Sequence, residues 1–158
     1  MESEIWKQTE FIDYEVSNFG RVRSNKRTVK EKVLIHQFDK RGYPQVCLTV
    51  NGKPITRRIH VLVWDAFGDK PRDGRNINID HKDFNKSNNW ISNLQALTSR
   101  ENTIKSRKKS GKLIGAWPKR NKWQSRICIN GKYKTLGCSF KTELEAHQAY
   151  MKAKAELL

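Results

Sequence analysis

The sequence predicts an α+β protein built from small modules: a β-rich N-terminal part, a mixed central part, and a C-terminal sheet followed by a helix. Short runs of alternating apolar and polar residues lead into Asn51-Gly52 and Asn130-Gly131, the pair most typical of tight β-hairpins. The apolar run Ile59–Phe67 has the spacing of an amphipathic helix. Thr142, followed three residues later by Glu145, marks the start of a C-terminal helix.

Turn residues divide the chain into three predicted modules, which cover residues 1–58, 59–109 and 110–158. In the first module the pattern predicts four strands and a returning fifth, at residues 14–17, 20–24, 33–37, 43–50 and 54–58. In the second it predicts a helix over 59–67, a strand over 76–80 and a helix from Thr98 to about residue 108. In the third it predicts strands over 123–129 and 133–137 and a helix from Thr142, with Leu144, Ala146, Ala149, Tyr150 and Ala153 as its packing face.

The net charge points to a polyanionic partner. The chain has 158 residues, 32 Lys and Arg against 16 Asp and Glu, and a formal net charge of +16. A charge of about 2–8 is enough to keep a small domain soluble, so this excess needs another explanation. Because the positive charge is spread over all three modules, one elongated nucleic acid could contact the whole chain.

Several classes of protein are unlike this sequence. No run approaches the roughly 20 apolar residues of a membrane span, and the acidic start lacks the apolar core of a secretory signal. Cys47, Cys128 and Cys138 have no zinc-finger spacing, and an odd count favours free thiols. We therefore expect a cytoplasmic protein without a membrane partner.

The string from Ile79 to Asn89 contains the residues best suited to phosphodiester hydrolysis. His81 has a side chain whose ordinary pKa lies near neutrality, as a general base requires. Asp80 and Asn102 offer oxygen ligands, which suit Mg²⁺ or Mn²⁺. Asp83 is expected to shape the loop by an Asx-turn, and His60, on the apolar helix, is expected to be structural.

Three stretches resemble known families. Asp80-His81-x-Asp83, with Asn85-Lys86-x-Asn88-Asn89 and Asn93-Leu94, is similar to the HNH endonucleases of the phage and intron-encoded homing type. The segment around Tyr14-Glu15-Val16-Ser17-Asn18 resembles the small DNA-binding module that accompanies these nucleases. Residues 115–150 resemble the plant ethylene-response-factor DNA-binding domain, which implies a three-stranded sheet and a helix.

The resemblance to HNH endonucleases implies a ββα-metal nuclease core in which Asp80 and Asn102 hold one divalent ion, Mg²⁺ or Mn²⁺. It implies that His81 takes a proton from the attacking water and that Asn93 holds the loop so that His81 points at the phosphate. The products would carry a 5′-phosphate and a 3′-hydroxyl. The sequence departs from many family members at Phe84, where they have Gly, and at Ala96, where they have an aromatic residue.

Double-stranded DNA is the expected partner, and residues of all three modules are candidates to contact it. They are Arg21 and Arg23 near the N-terminal strands, Lys105, Arg107, Lys108 and Lys109 at the end of the second helix, and, by resemblance, Trp117, Lys119, Arg126, Tyr133 and Thr135. A monomer with one active site, encoded by a phage and working in the bacterial cytoplasm, would nick one strand of a long site without an obligatory protein partner. The alternative is a catalytically inactive phage DNA-binding regulator. An RNA-binding or RNA-cleaving protein is less favoured, because no aromatic pair of the RNA-recognition type occurs.

Overall fold

The computed structural model describes residues 2–26, 29–72 and 76–157. The chain forms two compact units, Met1–Ser99 and Arg100–Leu158. Its described residues form small antiparallel sheets and three α-helices, which confirms the predicted mixture of helices and separate sheets. Among the described residues, no helix has the length and apolar content needed to span a bilayer.

Two sheets make up the N-terminal part of the first unit. The first sheet contains β1 (Trp6–Gln8), β2 (Tyr14–Ser17), β3 (Val22–Lys26) and β4 (Val29–Val33), in that order. The second sheet contains β5 (Gln37–Phe38), β6 (Pro44–Val50) and β7 (Lys53–Arg58). The hairpin predicted at Asn51-Gly52 is confirmed: Val50 pairs with Lys53, and both turn residues have positive φ, as the tight turn requires.

One predicted strand of this part is wrong, and three observed strands, β1, β4 and β5, were not predicted. Residues 33–37 do not form a strand, because β4 ends at Val33 and β5 begins only at Gln37. Between them the Leu34 N–H donates to the carbonyl of Val22, 2.8 Å away, and the chain leaves the first sheet for the second. The short strand β1, only three residues long, gave no alternation to detect.

The rest of the first unit carries the candidate site. The helix α1 (Ile59–Phe67) has the predicted bounds, and the antiparallel pair β8 (Ile77–His81) and β9 (Leu94–Thr98) follows, with a 3-10 turn at Ile91–Asn93 before β9. The helix α2 (Ser99–Lys109) follows β9 in the sequence, and from Arg100 onward it belongs to the second unit.

One hydrophobic core joins the first two predicted modules. Val16 and Val22 of the first sheet, Leu48 of the second, and Leu62 and Val63 of α1 are all at most 2% exposed and belong to one cluster. This cluster contains residues from both sides of the boundary predicted at residue 58. Burial on this scale stabilises by about 1.5–3 kcal/mol for each large apolar side chain, so the two parts stabilise each other.

The second unit has the predicted sheet-and-helix architecture. Its sheet contains β10 (Ala116–Lys119), β11 (Lys122–Ile129) and β12 (Lys132–Phe140), and α3 (Glu143–Ala155) packs on it. The Thr142 hydroxyl accepts from the Glu145 N–H at 3.2 Å, which confirms the predicted N-cap. Ala146 and Tyr150 are buried as predicted, but the prediction for Leu144 is wrong, because it is 55% exposed.

Gly115 allows the chain to pass under α3, and its replacement is a test of this packing. Its φ is +80°, and a Cβ built there would lie 2.1 Å from Cγ of Tyr150. We expect Gly115→Ala to destabilise the second unit by roughly 2–4 kcal/mol, because overpacking adds to the cost of positive φ. Thermal unfolding, and amide hydrogen exchange of residues in β10, β11 and β12, would measure the loss of stability.

Gly131→Ala is the matched control. Gly131 lies in the turn between β11 and β12 with a φ of +77°, but nothing approaches its Cβ position within 4 Å. Gly131→Ala is therefore expected to show only the cost of the backbone conformation. Equal destabilisation by the two variants would contradict the role of Tyr150.

Candidate active site

Asp80 and His81 are the last two residues of β8, where the strand pairs with the start of β9. Asp80 is opposite Gln95, and His81 is opposite Leu94. The Gln95 side chain donates from Nε2 to Oδ2 of Asp80 at 2.9 Å, so one carboxylate oxygen is held by the neighbouring strand. Alternation along the strand places the His81 side chain in the interior, and the residue is only 3% exposed.

The loop after His81 is closed by the Asp83 carboxylate. Its Oδ1 accepts from the backbone N–H of Asn85 at 2.7 Å, which is the Asx-turn predicted from the sequence. Its Oδ2 accepts from Nδ2 of Asn88 at 2.8 Å. The hydrogen bond from Asn88, together with those from Asn85 and Asn93, holds the pKa of the Asp83 carboxyl below its ordinary value.

Asn93 joins the two ends of this loop. Its Nδ2 donates to Oδ1 of Asp83 at 3.0 Å and to the carbonyl of Asn88 at 2.8 Å, and its Oδ1 accepts from the Asp83 N–H at 3.2 Å. The Asn93 carbonyl also accepts from the N–H of Lys82 at 2.8 Å. Asn93 therefore links the two ends of the loop that follows His81, and its predicted role of pointing His81 at the phosphate stays a prediction.

Asn89 is a partner of His81 that sequence reasoning did not identify. Its Oδ1 lies 3.1 Å from Nε2 of His81, while its Nδ2 donates to the carbonyl of Ser87 at 3.2 Å. Since the amide nitrogen donates to Ser87, the amide oxygen faces the imidazole and accepts a hydrogen bond from Nε2–H. This contact favours the tautomer with the proton on Nε2, so that Nδ1 carries the lone pair. The Asn88-Asn89 pair indicated turn formation but not this contact.

Two further aromatic rings lie beside His81. The His60 ring is 5.2 Å from the His81 ring, centroid to centroid, with an interplanar angle of 72°. Tyr43 is 5.1 Å from His60 and 6.1 Å from His81. Burial, together with the proximity of His81, lowers the pKa of His60 to about 3, so this imidazole is neutral at physiological pH.

Phe84, where the resemblance leads one to expect glycine, lies in the left-handed region of backbone conformation. Its φ is +65°, and its N–H donates to the carbonyl of His81 at 3.1 Å. A non-glycine residue costs about 1–2 kcal/mol in this region. The turn after Asp83 is therefore retained with a strained residue in it.

The first sheet contacts the same loop. The Asn18 carbonyl accepts from the N–H of Ile91 at 2.8 Å, and the Phe19 ring is 4.7 Å from the ring of Trp90. A Cβ on Gly20 would lie 2.7 Å from Cβ of Asn89, so only glycine permits this approach. The N-terminal sheet therefore supports the residue that contacts His81.

Asn102, the second predicted metal ligand, lies on α2 in the second unit. With Thr103, Ser106, Arg107 and Trp117 it lines a groove of about 370 Å³. The predicted pairing of Asn102 with Asp80 stays a prediction. Within the described part of the chain, no group of three or more His, Cys, Asp or Glu side chains could hold a metal ion.

Comparisons with known proteins identify the family. The HNH endonuclease family model matches residues 57–104, and the NUMOD4 motif model matches residues 4–49. The solved structure described as DNA binding and cleavage by the HNH homing endonuclease I-HmuI superimposes with a TM-score of 0.59 and 30% identity, covering 100% of this chain and 83% of the other. The chain belongs to the HNH endonuclease family.

Phage members of the HNH family are similar to roughly two thirds of this chain. The H-N-H endonuclease F-TflII of Escherichia phage T5 is 34% identical over 106 residues, which are 67% of this chain and 53% of that protein. The DNA endonuclease I-HmuI of Bacillus phage SP01 is 38% identical over 99 residues, 61% of this chain and 54% of that protein. The chain thus spans about half the length of these two relatives.

The predicted DNA-contacting arginines of the N-terminal part of this HNH protein are both ion-paired. Arg21 Nε donates to Glu4 at 2.8 Å, and Arg23 Nε donates to Glu15 at 2.6 Å. The Arg21 side chain is 56% exposed, whereas that of Arg23 is 20% exposed and lies 4.4 Å from the centroid of the Trp6 ring. Arg21 is therefore better placed than Arg23 to reach a ligand.

The predicted contact residues of the C-terminal sheet cluster on one face. Arg126 pairs with Thr135 across the strands, and its guanidinium lies 5.3 Å from the Trp117 ring and 5.6 Å from the Tyr133 ring. Lys119 is exposed at the end of the first strand of this sheet. Ser125 and Ile127, the neighbours of Arg126 on β11, are buried on the opposite face, as the alternation predicts.

Among the cations near the end of α2, Arg107 is used inside the second unit. Its Nη2 donates to the carbonyls of Leu113 at 2.5 Å and Ala116 at 2.6 Å, and its side chain is only 12% exposed. It therefore connects α2 to the sheet, a role the basic run did not reveal. Lys105 is half-buried, whereas Lys108 and Lys109 are exposed.

The neutral state of His60 predicts a pH dependence of stability. The unfolded chain takes up a proton at His60 near pH 6.5, but the folded chain does so only near pH 3. The contribution of neutral His60 to the free energy of unfolding is therefore fully present above pH 6.5. It is lost as the pH falls from 6.5 toward 3, by up to about 1.4 kcal/mol per pH unit. We expect denaturant unfolding of the His60→Phe variant to show a shallower decline between pH 6.5 and 4.5. If the wild type and His60→Phe lost stability equally with decreasing pH, the assigned role of His60 would be contradicted.

Proposed function

We propose that this protein is a metal-dependent DNA endonuclease that hydrolyses a phosphodiester and nicks one strand of a long site. The observation that carries the proposal is the arrangement of His81 at the end of β8. Asn89 fixes its tautomer, and a loop closed by Asp83 and Asn93 follows it. The order β8, β9, α2 supports the ββα-metal architecture implied by the sequence resemblance.

His81 acts as the general base in this proposal. With the proton on Nε2 held by Asn89, Nδ1 is the nitrogen that accepts a proton from the attacking water. Transfer of this proton makes an imidazolium, and the Asn89 oxygen remains a hydrogen-bond acceptor for it. Asn93 is a positioning residue, because it fixes the loop and does not itself meet the reacting atoms.

The donor set fits a hard divalent cation. Asp80 supplies a carboxylate of which Gln95 engages one oxygen, and Asn102 supplies an amide oxygen. Oxygen ligands of this kind suit Mg²⁺ or Mn²⁺, with the remaining positions left to water and phosphate. Such an ion, bound to one chain by these two residues, would offset the charge that develops on the phosphate and the leaving 3′ oxygen. The products would then carry a 5′-phosphate and a 3′-hydroxyl.

Double-stranded DNA is the proposed substrate. The net charge of +16 favours a polyanion, and the aromatic and basic face around Arg126 offers a surface for it. The resemblance of residues 110–158 to the ethylene-response-factor domain stays a prediction. One candidate base per chain favours nicking by a monomer, in the cytoplasm of a phage-infected bacterium.

A catalytically inactive DNA-binding regulator is the second candidate. The observation in its favour is that His81 is only 3% exposed, whereas a general base has to meet a water molecule and the substrate. The regulator and the nuclease proposals predict the same DNA affinity but opposite outcomes in a cleavage assay.

We expect His81→Ala to abolish nicking of supercoiled plasmids that carry a library of randomised inserts, with Mg²⁺ present. Loss of a general base lowers a rate by about 10²–10⁴-fold, whereas binding to DNA in a gel-shift assay should persist. Gel electrophoresis separates nicked from supercoiled DNA, and sequencing of the ends tests the proposed 5′-phosphate.

His36→Ala is the matched control, since His36 belongs to the same unit and contacts Phe38 rather than the candidate site. It should nick like the wild type. Undiminished nicking in EDTA would contradict the proposed dependence on a metal ion. A wild-type protein that binds DNA but nicks none of the inserts would support the catalytically inactive regulator.

The face of the C-terminal sheet can be tested at Arg126. We expect Arg126→Ala to weaken binding to duplex DNA by about 5–150-fold, the range of a good arginine contact with a base. Lys152→Ala, on the helix that packs on the sheet, removes the same charge and is the control. Fluorescence anisotropy at one fixed salt concentration measures both variants. An equal loss of affinity would show that only total charge matters.

A further inference from the structure

His60 is a buried polar residue in the core helix of the first unit. It is 4% exposed, and it is flanked on α1 by Ile59 and Leu62, which are also buried. Its Nδ1 is buried and has no hydrogen-bond partner among the residues that the structure describes. An unpaired buried polar atom costs about 1–3 kcal/mol, so an apolar side chain would be more stable here.

The ring of His60 lies directly against the ring of His81. The two rings meet edge to face, at 5.2 Å and 72°, and Tyr43 closes the cluster from the second sheet. On the His81 ring itself, Nε2 lies 3.1 Å from Oδ1 of Asn89. The imidazole of His81 is therefore held by a ring on a helix and by an amide on a loop.

The cluster is anchored to rigid parts of the unit. Leu62 and Val63 fix α1 in the core. Tyr43 lies under two cations, the guanidinium of Arg58 at 4.7 Å and the ammonium of Lys86 at 4.6 Å from its ring centroid. Lys86 also donates to the carbonyl of Arg41 at 2.6 Å, which ties the loop after His81 to the second sheet.

We propose that His60 is a positioning residue for His81: its ring, backed by Tyr43, holds the His81 imidazole at the angle from which Nδ1 meets the attacking water. This inference rests on the proposed function, because it assigns His60 an effect on a reaction. A misplaced base slows proton transfer without weakening DNA binding, since His60 is buried and does not reach the surface.

The test compares His60→Ala with His60→Phe in single-turnover nicking of the supercoiled plasmid library. We expect His60→Ala to lower the nicking rate at saturating protein by at least about tenfold, with DNA affinity changed less than about twofold. His60→Phe keeps a flat ring in the same place and should restore the rate to within about threefold of the wild type.

Val63→Ala controls for stability, because Val63 is fully buried on the same helix and outside the ring cluster. It should destabilise the protein yet nick at nearly the wild-type rate below its unfolding temperature. Equal losses in His60→Ala and Val63→Ala, or no rescue by His60→Phe, would overturn the inference. The nuclear magnetic resonance signals of the His81 ring, shifted in His60→Ala and restored in His60→Phe, would support it independently of activity.

His81→Ala separates the two proposals. If His81→Ala is inactive but His60→Ala nicks normally, the positioning role fails and the nuclease proposal stands. If His81→Ala nicks like the wild type, the proposed function itself fails, and the positioning role fails with it.

Discussion

The hydrogen bonds between Asn93 and Asp83 are the constraint on which the candidate site depends. They close a loop of mostly polar residues that has little apolar surface to hold it in place. Each bond contributes about 0.5–1.5 kcal/mol, and more where the ionised carboxylate accepts. Once the loop is closed, Asn88 and Asn89 have fixed positions, and Asn89 can meet His81. A polar loop is thus ordered from within, and its order reaches the imidazole through one amide.

The N-terminal sheet and the site are parts of one folding unit rather than neighbours joined by a linker. The core cluster includes residues of both, and Gly20 meets Asn89 at a distance that only glycine allows. The segments matched by the NUMOD4 and HNH family models therefore share one hydrophobic core. A rigid frame suits a reaction that needs a base placed within a fraction of an ångström, because a flexible linker would let bound DNA and His81 move independently.

The sequence was most informative where a local pattern decides the structure. The apolar spacing of Ile59–Phe67 predicted α1 to the residue, and the Asn51-Gly52 and Thr142-Glu145 signals correctly placed a turn and a helix start. It was least informative where the structure depends on a contact between residues six or more positions apart. The change of sheet at Leu34, the contact of Asn89 with His81 and the use of Arg107 by two backbone carbonyls all join residues that no short pattern connects. Asp83 was predictable as a turn former because its partner, Asn85, is only two residues away.

The same distinction explains why a basic residue in the sequence is a poor guide to a DNA contact. Arg23 and Arg107 satisfy their guanidinium groups inside the protein, so moving either to a phosphate would cost the hydrogen bonds that it already makes. Arg126 is different, since aromatic rings hold its charge without using all of its donors. A guanidinium stacked between rings has already lost much of its rotational freedom, so less entropy is lost when it binds a base. Packing, more than charge, therefore separates Arg23 and Arg107, whose donors are used inside the protein, from Arg126.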